Sequence, residues 1–142
     1  METSEKTAIT VETTVNAPVE KVWKCWTEPD HITGWTFASD DWHAPYADND
    51  LRKDGKFKTT MAAKDGSFSF DFGGTYTDVT EHSLIAYTME DGRKVKVSFS
   101  GDGDTTKVVE TFDPENTHPA DFQKAGWQAI LDNFKKYTEA AA

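Results

Sequence analysis

The closing stretch from His118-Pro119 to Tyr137 constrains the fold more than any other part of the sequence. Pro119 suits a first helical turn, where a missing N–H costs nothing, and Asp121 favours the positive end of the helix dipole. Gln123, Trp127, Ile130, Leu131, Phe134 and Tyr137 then keep the three-and-four spacing of one helix face. Lys124, Gln128, Asp132, Lys135 and Lys136 fall largely elsewhere, the two adjacent lysines near the negative end. A helix of about twenty residues is roughly 30 Å long, enough to cross a small sheet from edge to edge. The rest of the chain must supply the apolar surface that this helix covers.

Upstream, the pattern is that of strands. Thr7 to Val15 alternates, with Ile9, Val11, Thr13 and Val15 on one face. Asn16-Ala17-Pro18 stops the strand and starts a helix, with Asn16 as cap and Val19, Val22, Trp23 and Trp26 on one face. Glu28-Pro29-Asp30 breaks that helix, and a second short turn spans His31 to Trp35. Trp42 and His43 fit a short strand, and Ala44 to Asp50 reads as loop. Lys56 to Ala63 alternates, with Phe57, Thr59 and Met61 on one face, and Lys64-Asp65-Gly66 is a tight turn. Ser67 to Thr80 carries Phe68, Phe70 and Phe72 before Gly73-Gly74, which reads as a bulge. Three more strands follow: Leu84 to Glu90, a run carrying Val95, Val97 and Phe99, and Thr105 to Phe112. Asp91-Gly92 and Gly101 to Asp104 form the turns between them, and Glu139 to Ala142 reads as a frayed end. Strand, two short helices, a run of antiparallel strands and one long helix give an α+β fold, a curved sheet with helices on its concave face.

The 142 residues are expected to form one domain, 1–142, with a core at about 7–138. Fifteen basic against 25 acidic side chains leave a net charge of −10, which repels phosphate backbones and anionic lipid. Nucleic acid and membrane surfaces are therefore not expected partners. The single cysteine, Cys25, excludes an internal disulfide and fits a reducing compartment. The opening METSEKTAIT lacks a secretory apolar run, so a cytoplasmic location is expected. Five Trp, nine Phe and four Tyr are many rings for so polar a chain, and rings either fill a core or line a pocket for flat ligands.

Ala17-Pro18-Val19-Glu20-Lys21-Val22-Trp23 followed by Trp35 resembles the opening of the START-like (Bet v 1-like, SRPBCC, helix-grip) superfamily. More narrowly it resembles the branch named after the activator of Hsp90 ATPase. Gly74 to Val79 with Leu84 to Tyr87 is similar to that branch's mid-chain strand pair, and Gly126 to Phe134 to its terminal helix. The resemblance spans roughly residues 8 to 138. It implies about seven antiparallel strands wrapped around the C-terminal helix, two short helices after the first strand, and an apolar cavity between sheet and helix. It says little about function, because such folds host binders, carriers and a few enzymes. The namesake co-chaperone has a further N-terminal domain that helps grip Hsp90, for which this chain has no room, so Hsp90 is not an expected partner.

Chemistry-bearing motifs are sparse. His31, His43, His82 and His118 are scattered without metal-ligand spacing, so neither metal nor cofactor is expected. Cys25 lies one position off the apolar stripe of its helix and reads as a packed side chain. The aromatic residues Phe57, Phe70, Phe72, Tyr76, Phe99 and Trp127 are candidate cavity walls, joined by Trp26, Trp35, Met61 and Leu131. Tyr87, Glu110 and Gln123 are the polar candidates. If Val108 and Phe112 face the helix, so does Glu110, and its carboxyl is then desolvated. The opposite register, with Val109 and Thr111 inward, is marginally preferred; Asp71 poses a similar choice. Gly126 costs about 1 kcal/mol in a helix, a cost that close approach to sheet or ligand would offset. The expected function is non-catalytic binding of a small, flat, mostly apolar molecule. The alternative is an aromatase/cyclase-type enzyme using Glu110, Tyr87 or His43 on a polyketide-like substrate.

Overall fold

The computed structural model describes residues 8–115 and 118–141. Thr7, the expected start of the first strand, and Ala142 lie outside them. The elements are β1 (Ile9–Val15), α1 (Val19–Thr27), α2 (Pro29–Ile32), β2 (Trp42–Asn49), β3 (Lys56–Ala63), β4 (Ser69–Thr80), β5 (Leu84–Met89), β6 (Lys94–Asp102), β7 (Thr105–Phe112) and α3 (Ala120–Ala140). One antiparallel seven-stranded sheet runs in the order β1-β7-β6-β5-β4-β3-β2. Strands β2 to β7 form a meander, and β1 closes it by pairing with β7. The sheet curls into a half-barrel that grips α3, as the helix-grip expectation requires.

Alternation decides which side chains meet the helix. Val11 on β1, Val97 on β6, Ile85 on β5 and Val108 with Phe112 on β7 are buried with Leu131 and Phe134 of α3 in one core. The helix also covers a sheet edge. β1 is an edge strand, whose outward backbone groups would invite pairing with another chain. Gln128 donates to the Glu12 carbonyl at 3.2 Å and Lys135 to the Thr14 carbonyl at 2.7 Å. The Asn16 N–H donates to the Glu139 carboxylate at 2.8 Å. These contacts ascend α3 and β1 together, so the helix runs alongside the strand and satisfies its edge.

Several local expectations change. Asn16 is not a helix cap, because α1 starts only at Val19 and Pro18 occupies the capping position. Pro119 likewise sits one place before the first helical residue. The second short helix begins on Pro29, whose fixed φ suits a first turn, instead of on His31. Residues 44–49 form most of β2 where a loop was expected. Pro45 is tolerated because β2 is an edge strand and its pairing with β3 shifts register between His43 and Tyr46. Pairing runs unbroken through Gly73-Gly74, and the bulge in β4 falls between Tyr76 and Asp78. The glycines serve close approach instead: a Cβ on Gly73 would lie 2.5 Å from the Phe57 carbonyl oxygen, and one on Gly74 2.5 Å from that of Thr88. At the chain's end Glu139 and Ala140 are helical, held by Lys135 and Asn16, where fraying was expected.

Candidate functional site

The curled sheet and the straight helix do not meet along their whole length. The C-terminal half of α3 is packed solid: Phe134 is fully buried, with ring centres of Trp26 and Trp35 each 4.8 Å away. The N-terminal half stands off the sheet over a cavity of about 410 Å³. Gln123, Gly126, Trp127, Ile130 and Leu131 form its roof. Phe57, Met61, Phe72, Tyr76, Ile85 and Tyr87 form its floor, and Trp26, Ile32 and Trp35 close one end. Phe70 and Phe122, 44% and 64% exposed, mark the mouth together with His118, whose ring stacks on Phe122 at 5.0 Å. Trp127 is fixed by stacking on Phe112 at 3.8 Å, with the rings only 9° from parallel.

Among the sequence candidates, the structure brings Trp26, Trp35, Phe57, Met61, Phe70, Phe72, Tyr76, Tyr87, Glu110, Gln123, Trp127 and Leu131 onto the cavity. Phe99 is not on it. That ring lies at the α1 end of β6, buried edge-on against Trp23 at 5.3 Å and Trp26 at 5.6 Å. His43 and Asp71 are exposed, and Asp71 accepts a hydrogen bond from Thr60 at 2.8 Å. Ile85 and Ile130 were missed, although strand parity with Tyr87 and helical spacing from Gln123 point to them, and Gly126, singled out for close approach to sheet or ligand, borders the cavity. Nothing in the sequence signals Arg93, Phe122 or His118.

Glu110 faces inward, against the register marginally preferred from the sequence. It pairs with Val11 of β1 and Val97 of β6, both buried, so its own side chain shares their face. Only 7% of it is exposed. No hydrogen bond or ion pair reaches its carboxyl from any described residue, and burial alone pushes its pKa up to about 8. Tyr87 is equally deep; burial, then the negative charge of Glu110, raises its phenol well above the ordinary value. Its hydroxyl has no hydrogen-bond partner among the described residues, whereas the Tyr76 hydroxyl donates to Asn49 at 2.5 Å. Gln123, the third polar candidate, donates to the carbonyls of Glu115 and His118, at 3.2 and 2.7 Å. Arg93 also lines the cavity, its guanidinium 2.8 Å from the Asp91 carboxylate. Cys25 is buried away from the cavity, its thiol pKa raised by that burial. No group of side chains among the described residues is arranged to hold a metal ion.

The family model of the activator of Hsp90 ATPase homolog 1-like proteins matches residues 16–139. The chain belongs to that family. The family is a branch of the START-like (SRPBCC, Bet v 1-like) superfamily, as the sequence resemblance implied. An AHSA1-like protein of Aeromonas hydrophila, solved by solution NMR, is 46% identical with a TM-score of 0.89 over 94% of this chain and 93% of that one. A Cytophaga hutchinsonii protein, also solved in solution, is 61% identical with a TM-score of 0.79 over 92% and 91%. A Chromobacterium violaceum protein shares the fold at 18% identity, with a TM-score of 0.84 over 95% and 99%. Comparison with curated proteins gave no match. Among the described residues of this family member, no helix is long and apolar enough to cross a membrane.

Proposed function

We propose that this family member binds a small, flat, mostly apolar molecule between α3 and the sheet. The observation that carries the reading is the 410 Å³ cavity walled by aromatic rings, whose size falls in the range of small-molecule sites. Gly126 supports it. A Cβ there would meet nothing within 4 Å, so the glycine is not required by sheet contact, and what its missing side chain leaves is room. Gly126→Ala is expected to stabilise the fold by about 1 kcal/mol, the ordinary helix-propensity gain. Gly126→Phe should instead fill the cavity. Calorimetric titration with 2-ethylnaphthalene, a flat hydrocarbon probe, should show binding to the natural chain and to Gly126→Ala, and none to Gly126→Phe. Equal binding by all three would place the probe elsewhere and remove the reading.

A second reading, an aromatase/cyclase-type enzyme, is favoured by one observation: Glu110 and Tyr87, two of its three suggested acid/base groups, both line the cavity. His43 does not, and the remaining pair would have to act as acids from their protonated forms. Turnover of a polyketide-like chain, lost in Glu110→Gln, is its test. Neither reading calls on Hsp90, on a cofactor or on nucleic acid.

A further inference from the structure

The inner face of the sheet carries one row of residues in register across four neighbouring strands: Val11, Glu110, Val97 and Ile85. Three members are aliphatic and the fourth is a carboxylic acid. Burying an unpaired carboxyl costs stability, and a leucine would fill the place without that cost. Tyr87 lies on the same face two strands away, one inward position beyond Ile85, and its hydroxyl also lacks a protein partner among the described residues. Both side chains open on the cavity, and each is more than nine-tenths buried. Two polar groups left without partners in an apolar hollow are completed only by what enters it.

We propose that Glu110 and Tyr87 are the polar anchor of the cavity, and that its ligand is a flat apolar molecule carrying a neutral carbonyl at its buried end. The inference rests on the binding function proposed above and adds the class of ligand. The anchoring groups fix that class. Burial keeps both protonated near neutral pH, so each presents an O–H to an acceptor. A ligand carboxylate would be stranded beside Glu110, which has no cation paired to it. The other titratable groups on the lining are Asp48 of β2, Tyr76 of β4, Arg93 at the β5–β6 turn, and Glu115 with His118 ahead of α3. Tyr76 is committed to Asn49 and Arg93 to Asp91, while His118 lies at the mouth beside Glu115, 3.1 Å from its carboxylate.

The test uses three probes of one shape: 2-acetylnaphthalene, 2-ethylnaphthalene and 1-(2-naphthyl)ethylamine, titrated into the full chain at pH 6 and pH 9. The ketone is expected to bind about tenfold more tightly than the hydrocarbon at pH 6, the worth of a buried hydrogen bond. That gap should narrow at pH 9, where Glu110 ionises and ceases to donate. Glu110→Leu with Tyr87→Phe should abolish the gap, so that ketone and hydrocarbon bind alike. Glu110→Gln, still a donor, should keep part of it and lose its pH dependence. Hydrocarbon binding with no preference for the ketone overturns the anchor and leaves the binding function standing. The amine binding most tightly overturns the ligand class in favour of an ion pair. Failure of all three probes overturns the anchor and the binding function together.

Discussion

Replacing Glu110 by Gln is expected to stabilise the protein at pH 8 by several kcal/mol and to leave it nearly unchanged at pH 5. The cause is proton linkage. An unfolded glutamate ionises near its ordinary value of 4.5, while the buried one holds its proton up to about 8. Between these values the native state binds the extra proton, so stability falls as pH rises, by at most about 1.4 kcal/mol per pH unit. Burial raises Asp91, but the hydrogen bonds and charge of Arg93 outweigh it and leave it lowered, and hydrogen bonds from Lys135 and the Asn16 N–H lower Glu139. Their stabilising effects are complete above the ordinary carboxylate range and are lost only as pH drops below it. The Tyr87 phenol titrates above the window, so Glu110 supplies the slope between pH 5 and 8 that Gln removes. Urea midpoints at pH 5, 6, 7 and 8 for the two chains decide it. Parallel curves would mean that Glu110 is already ionised in the fold, and the donor role argued for it would fail.

The second large effect contrasts two positions one helical turn apart. Phe134→Ala is expected to cost roughly 3–5 kcal/mol, because it empties a site walled by Trp26 and Trp35 that cannot collapse. Against a total stability of about 5–15 kcal/mol that is enough to leave the fold marginal. Ile130→Ala removes a comparable aliphatic body from a side chain that already borders empty space, so less packing is lost. It should cost about 1–2 kcal/mol, the transfer contribution without a new rigid void. Similar costs at both sites, read from urea unfolding, would indicate that the N-terminal half of α3 is packed as tightly as the rest.

The architecture was legible because strand alternation and helix periodicity are strong where one face is buried. Val95, Val97 and Phe99, and Ile9 to Val15, show inward faces without help from context. What was not legible depended on neighbours far away in sequence. On β7, Val108 and Phe112 argue for one register and Val109 for the other; only pairing with Val11 and Val97 decides, and with it the place of Glu110. Phe99 has the parity of a cavity residue, yet α1 covers that end of β6, so being inward is not the same as lining the hollow. Pro45 disguised β2 as loop because proline is barred only from strands paired on both sides. Arg93, Phe122 and His118 reach the cavity from a turn and a helix start, positions that carry no periodicity.

The direct measurement is an amide and indole chemical-shift map of the chain titrated with 2-acetylnaphthalene. Perturbations gathered on Trp127, Tyr87, Glu110 and Gly126, with the opposite face of β5, β6 and β7 at Thr88, Lys96 and Thr111 silent, are the predicted result. Shifts gathered on that outer face, or no saturable shifts at all, would contradict the claim that this fold works through the space beneath its helix.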